Sequence, residues 1–251
     1  MKPILIIKTG STLDSLRSTI GDFEDWMIRG SGLPYAAFQV INVEAGESLP
    51  DDQTLCAVLI TGSHAMVSDR LPWSENAARW LADAVARRLP TLGICYGHQL
   101  LAHALGGEVG YNPNGLELGT VEVRLTPAGL SDPLLSILPP APRLHVAHAQ
   151  SVGRLPDGAS HLASSLMDKH QAFCANGCAW GVQFHPEFDA AIVRAYIQAD
   201  HSELAAAGQN PQALLADCTD TPFGSQILQR FIALVRGQQL PSKRSTQGLI
   251  N

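Results

Sequence analysis

No segment of the chain approaches the apolar length needed to cross a bilayer, and the apolar run near its start, Pro3 to Ile7, is too short for a signal peptide. These absences predict a cytoplasmic protein without a membrane partner. Charge is also sparse. With 16% charged residues, a net charge of −6 and no basic cluster, a nucleic-acid or anionic-membrane surface is excluded, leaving a small molecule or a protein as partner. The five cysteines, Cys56, Cys95, Cys174, Cys178 and Cys218, are odd in number and share no repeated spacing, which suits free thiols in a reducing compartment rather than a disulfide framework. Cys174 and Cys178 flank Asn176-Gly177, a two-residue hairpin signal. They read as hairpin neighbours, because no second ligand pair has the spacing a metal site needs. A phosphate-cradling P-loop pattern is missing as well, so the chain does not activate an acceptor with ATP by itself.

What is present is an ordinary globular composition, 45% hydrophobic over 251 residues, enough to bury a full core. Without a repeat, a long linker or a composition break, residues 1–240 are predicted to form one domain: a core over 1–190, a helical extension over 190–237, then a polar, frayed tail over 238–251. Ile4 to Lys8 and Leu55 to Ile60 are continuous aliphatic runs of the kind found in strands buried on both faces, and Ala37 to Val43 is a further strand. Helices are predicted from Asp22 to Ile28, closing near Gly30 or Gly32, and from Ser74 to Val85 with Ser74 as N-cap. Strands alternating with helices imply parallel crossovers, hence an α/β fold with an open, mostly parallel central sheet flanked by helices. The middle of the chain differs. Gly119 to Leu125 alternates apolar and polar residues as an antiparallel or edge strand does, Pro139 to Pro142 is a rigid surface connection, and Leu144 to Phe184 reads as a smaller β-rich insertion or second layer. After Pro186 the chain turns helical: Ala190 to Ile197 behind an Asp189 cap, a stretch after Pro211, and Ser225 to Val235.

The stretch Gly93-Ile94-Cys95-Tyr96-Gly97-His98-Gln99 places a cysteine where a strand turns abruptly into a helix. Glycines two residues to either side let the backbone bend and keep Cβ atoms out of the turn, and the helix N-terminus behind the sulfur favours thiolate over thiol. A thiolate nucleophile needs a partner that keeps it ionised and then protonates the leaving group, work suited to imidazole. Of nine histidines, His185 stands out. The strand Trp180 to Phe184 delivers it at a strand end, Pro186 stops the ladder, and Glu187 can accept from its second ring nitrogen. Oxyanion donors are predicted at the backbone N–H of Tyr96 and at Gly62, in the loop that follows a neighbouring strand.

Thr61-Gly62-Ser63, the Cys95 elbow and Gln183-Phe184-His185-Pro186-Glu187, in this order, resemble a class I, triad-type glutamine amidotransferase domain, most nearly stand-alone proteins related to the amidotransferase half of GMP synthase. The resemblance covers roughly residues 1 to 190. It implies a flavodoxin-like sheet and hydrolysis of the glutamine side-chain amide through a γ-glutamyl thioester. Cys95 would then be the nucleophile, His185 the acid and base, and Glu187 the orienting carboxylate. By position, Gln99 matches the residue that contacts glutamine, and Ala147 to Gln150 matches the segment whose backbone grips the amino-acid end, with Ala149 and Gln150 as the substrate contacts. The chemistry needs no cofactor and no metal. The sequence departs from the family at Ser63-His64, where Pro-Gly is common, and at Ala149-Gln150.

Two enzymatic readings follow, and a third from another class. In the first, glutamine is hydrolysed and ammonia passes to a separate synthetase partner. In the second, the same thioester chemistry serves a stand-alone hydrolase of another γ-glutamyl compound, a peptide or amide. The third is a non-catalytic regulatory or binding subunit, which the intact triad disfavours. The helical extension after Asp189 is left three roles: covering the site, docking a partner or forming a homodimer.

Overall fold

The computed structural model describes residues 2–237; the tail read from the sequence over 238–251 lies outside the described residues. Strand β1 (Ile4–Lys8) is buried at every position and lies between two parallel neighbours, so its unbroken aliphatic run meets apolar layers on both faces. Helices α1 (Asp14–Ile20) and α2 (Phe23–Ser31) follow. The first was not legible in the sequence because none of its residues is buried, so it carries no apolar stripe. The second starts at Asp22 through a capping box with Asp25 and ends at Gly32 in the left-handed conformation. Strands β2 (Phe38–Asn42) and β3 (Ala57–Ile60) flank β1 on opposite sides.

Helix α3 (Pro72–Ala86) corrects the assignment of Ser74 as a cap. Pro72 opens the helix with Leu71 at the N-cap, and the Ser74 hydroxyl lies inside, 2.7 Å from the Tyr96 hydroxyl. Strand β4 (Thr91–Ile94) runs parallel to β3 and leads through Cys95 into α4 (Tyr96–Ala104). Beyond it come β5 (Glu108–Tyr111), β6 (Glu117–Glu122) and β7 (Arg124–Leu125). The single strand expected over Gly119 to Leu125 is therefore two, broken at buried Val123, and they belong to different sheets. After α5 (Pro127–Ser131) the chain forms β8 (Arg143–His148), β9 (Gln150–Arg154), β10 (Ser160–Ser164), β11 (Ala172–Ala175) and β12 (Ala179–Val182).

The main sheet has eight strands in the order β2-β1-β3-β4-β12-β11-β10-β7, parallel from β2 through β12 and antiparallel beyond. Two antiparallel ribbons, β5 with β9 and β6 with β8, stand apart from it. The β-rich middle of the chain is thus divided: β10 to β12 extend the central sheet, while β8 and β9 build the ribbons. Between β11 and β12 the turn at Asn176-Gly177 has φ of 52° and 64°, as the hairpin reading requires, and Cys174 and Cys178 beside it are buried and free.

Four helices complete the described chain: α6 (Ala190–Ala199), α7 (His201–Ala206), α8 (Pro211–Asp217) and α9 (Phe223–Val235). Asp189 caps the first through Ile192 N–H, as its position before the apolar stretch indicated. Among the described residues no helix is long and apolar enough to cross a membrane. Ile227, Leu228, Phe231 and Ile232 form the buried face of α9, and Phe231 meets Trp180 of β12 edge to face at 6.2 Å. Gly30 of α2 admits this helix, since a Cβ there would sit 2.7 Å from Leu228 Cδ1. The C-terminal helix is therefore part of the core. Phe231→Ala should lower the unfolding free energy by about 3–5 kcal/mol in urea denaturation; a loss below about 1 kcal/mol would show that α9 contributes little to the fold.

Candidate active site

The crossing of the chain from β2 back past β1 to β3 makes a switch point in the sheet, and ligands of open α/β sheets collect at the carboxyl ends of strands beside such points. Thr9, Gly62, Cys95 and His185 all follow parallel strands there. Thr9 ties its loop to the next, its hydroxyl lying 3.0 Å from Thr61 O and 3.1 Å from Gly62 O.

Cys95 has φ 52° and ψ −104°, a conformation that disfavours any side chain and costs on the order of 1–3 kcal/mol. Close backbone contacts hold it there. Cys95 N–H donates to Val182 O at 2.9 Å, and Gly97 N–H donates to Thr61 O at 3.2 Å. The flanking glycines are obligatory for a measurable reason: a Cβ on Gly93 would lie 2.3 Å from Gly97 O, and one on Gly97 would lie 2.7 Å from Ile60 O. The sulfur lies 3.5 Å from Ala147 O and faces a cavity of about 190 Å³.

His185 leaves β12 three residues after its last paired position, and its backbone N–H donates to His145 O at 2.8 Å. Its Nδ1–H donates to Glu187 Oε1 at 2.7 Å, with both side chains buried. Phe188 stacks on the imidazole at 3.9 Å between ring centroids, and Phe23 stacks at 6.2 Å. Gly62 lies against the same ring, since a Cβ there would come 3.1 Å from His185 Cε1. Burial opposes charge on this imidazole, but Glu187 and then Cys95 outweigh it and push its pKa up to about 10. Two other buried histidines go the opposite way: burial lowers His98 to about 3 and His145 to about 4. His185 is thus set apart from both by its carboxylate and its thiol.

The other residues singled out from the motifs fall around the same cavity. Tyr96, Gln99, Ala149 and Gln150 line it with Cys95. Among the described residues, neither the Gly62 N–H nor the Tyr96 N–H has a hydrogen-bond acceptor. Gln99 Nε2 donates to Gln150 O at 2.8 Å and to Gln183 Oε1 at 3.0 Å, which turns its Oε1 away from both. Ala149 O accepts from Asn112 N–H at 2.9 Å, and the Gln150 side chain reaches Ser68 rather than the sulfur.

Several wall residues were not singled out as site residues, although Ser63, His64 and His148 lie within the matched segments. His148 lies between Gln150 O, 2.9 Å from Nδ1, and Glu117 Oε2, 2.8 Å from Nε2. Ser63 to Met66 form one wall, and Tyr196, Asp200 and Glu203 close the cavity from the C-terminal helices. No motif marks those last three: Tyr196 lies on α6, Glu203 on α7 and Asp200 at the junction between the two helices.

Fold and site together define an α/β protein with a cysteine on a strand-to-helix elbow and a buried histidine–glutamate pair beside it. The glutamine amidotransferase class-I model matches residues 36–199, well over half of the chain, and the chain belongs to that family. A glutamine-hydrolyzing GMP synthase subunit from Sulfolobus acidocaldarius is 33% identical over 156 residues, 62% of this chain and 79% of that protein. The GMP synthase of Aeropyrum pernix is 37% identical over 142 residues, which are 57% of this chain but only 25% of that longer protein. A solved glutamine amido transferase from Methylobacillus flagellatus matches with a TM-score of 0.75 at 25% identity, covering 99% of this chain and 100% of that one.

The raised pKa of His185 has a consequence for stability. A histidine whose folded pKa lies above its unfolded value stabilises the fold fully below about 6.5, and that contribution is lost as pH rises through about 10. The difference in unfolding free energy between wild type and His185→Gln should therefore shrink between pH 6 and pH 10 in denaturation series. A difference that grows with pH would mean that the imidazole is neutral in the folded protein.

Proposed function

We propose that the chain hydrolyses the side-chain amide of glutamine through a γ-glutamyl thioester on Cys95 and supplies the ammonia to a separate synthetase. The observation that carries this reading is the buried His185–Glu187 pair beside the Cys95 sulfur, which itself lines a cavity walled by Gln99. In the first half-reaction the Cys95 sulfur adds to the amide carbon. The oxygen takes up the negative charge toward the N–H groups of Gly62 and Tyr96. The C–N bond then breaks as His185 gives its proton to the leaving nitrogen, which departs as ammonia. In the second, His185 takes a proton from water, the resulting hydroxide adds to the thioester carbon, and the C–S bond breaks to release glutamate and restore the thiolate. Glu187 holds the imidazole in orientation and balances its positive charge.

The synthetase partner is supported by the likeness to the Sulfolobus GMP synthase component and by the absence of a P-loop pattern in the chain. Residues 1–240 are read as one unit, with support from a central sheet that takes strands from both halves of the chain. Free thiols at all five cysteines favour a cytoplasmic setting. A second reading, a stand-alone hydrolase of another γ-glutamyl compound, is favoured by the cavity itself. One wall carries Ser63-His64 where Pro-Gly is common, and its roof comes from helices at and beyond the end of the family-matched segment.

The test is turnover by the purified chain offered glutamine and a panel of γ-glutamyl amides, with glutamate and released amine both measured. Cys95→Ala should abolish release, a loss of several orders of magnitude, and trapping of the wild type in mid-turnover should leave a γ-glutamyl group on the peptide that carries Cys95. Glu187→Gln should cost less than His185→Gln. Undiminished release by Cys95→Ala would end this reading.

A further inference from the structure

One wall of the Cys95 cavity is held from behind. Glu117 and His148 are paired across the β6–β8 ribbon, where β6 begins and β8 ends, so the register sets their side chains next to each other. Both are buried, at 2% and 4% exposed, and Glu117 Oε2 lies 2.8 Å from His148 Nε2. The carboxylate is tied on two further sides: Ser165 Oγ donates to its Oε1 at 2.6 Å, and Gln171 Nε2 donates to its Oε2 at 2.7 Å. Glu117 is not among the residues that line the Cys95 cavity; it borders a separate one with Ser165 and Leu166.

From Glu117 the contacts run inward. A backbone carbonyl only accepts, so His148 Nδ1 donates to Gln150 O at 2.9 Å, and the Gln99 atom 2.8 Å from the same oxygen is its amide nitrogen. That nitrogen gives its other hydrogen to Gln183 Oε1 at 3.0 Å. Both hydrogens of the Gln99 amide are thereby committed, and Oε1 is left as the polar group it can turn to a ligand. His148, Gln150 and Gln99 all line the cavity, and Ala147, the neighbour of His148 on β8, places its carbonyl 3.5 Å from the Cys95 sulfur. Breaking the outermost link loosens the rest. Without a partner at Glu117 the His148 ring is free to turn, the Gln150 carbonyl loses a donor, and the Gln99 amide loses its fixed acceptor. A buried polar network holds a single geometry only while its members are satisfied.

We propose that Glu117 is a positioning residue for the reaction at Cys95: through His148 it fixes the Gln150 carbonyl, and through that carbonyl the Gln99 side chain, so that a glutamine-shaped ligand is seated for attack. Glu117 acts without touching the ligand, and it lies outside every motif that marks the site. The proposal rests on reading Cys95 as the nucleophile toward a γ-glutamyl carbon.

Alkylation of Cys95 separates seating from reactivity. The probes are the chloromethyl ketone analogue of glutamine, which the wall has to seat, and iodoacetamide, which needs only the sulfur. The sulfur displaces halide from each, and the peptide that carries Cys95 is followed by mass. In the wild type the glutamine analogue should react about tenfold faster or more, and Glu117→Ala should cut that preference about tenfold while leaving the iodoacetamide rate within about twofold. Glu117→Gln keeps the reach and can offer His148 either an oxygen or an NH2, so it should hold the preference within about threefold of wild type. If the alanine variant does not fold, Glu117→Asp, which draws the carboxylate back by one methylene, takes its place and should lose about threefold or more. An unchanged preference in the truncated variant, a fall of both rates together, a Glu117→Gln protein as impaired as the truncated one, or a wild type without preference would overturn the assignment. Failure of the hydrolytic reading is visible separately: a wild type whose preference depends on Glu117 but which releases no glutamate from glutamine keeps the positioning residue and loses the reaction.

Discussion

One hydrogen bond, from His185 Nδ1–H to Glu187 Oε1 at 2.7 Å, anchors the site. Burial on its own would discharge the imidazole, as it does at His98 and His145, and a lone carboxylate so enclosed would be equally costly. Together, and with the Cys95 sulfur on the other side, each compensates the desolvation of the next. Their enclosure by Phe23, Phe188 and Gly62 keeps water from screening the attraction, so the pair acts at short range in a low-dielectric setting. The aromatic contacts fix which way the ring faces and strengthen the electrostatics it depends on.

The sulfur reaches that ring because the sheet forces it there. Strand β4 lies between β3 and β12, and the backbone at Cys95 is tied to both neighbours, to Val182 directly and to Thr61 through Gly97. With a side chain at Gly93 or Gly97 the helix could not approach β3 this closely. The strained dihedral angles of Cys95 are thus stabilised by packing on both sides, and the geometry is set before any ligand enters. The same compactness explains the modest size of the cavity, whose roof has to be contributed from the far end of the chain.

Much of this was legible in the sequence because its physical causes are local. An aliphatic run without alternation marks a strand covered on both faces, as at Ile4 to Lys8; a glycine two residues to either side of a cysteine marks a bend; a proline after a histidine marks a strand end. Long-range partnerships were harder to read. Ser74 resembles a cap in its own neighbourhood, but Pro72 opens the helix two residues earlier and the Ser74 hydroxyl finds its partner in Tyr96 instead. Helix α1 has no apolar face to announce it, and the break between β6 and β7 depends on which sheet each joins. The wall residues Tyr196, Asp200 and Glu203 sit in no motif, and they reach the cavity because α6 packs against the β6–β8 ribbon and carries α7 beside it.

The chemistry of the site depends on a charged imidazole held between a carboxylate and a sulfur, and nitrogen NMR of the His185 ring observes that state directly. In the resting protein at pH 7.5, both ring nitrogens should show the shifts of a doubly protonated imidazolium, and Glu187→Gln should move them toward a neutral tautomer. A His185 ring found neutral at that pH in the wild type, with one protonated and one bare nitrogen, would contradict the charged pair on which the site is built.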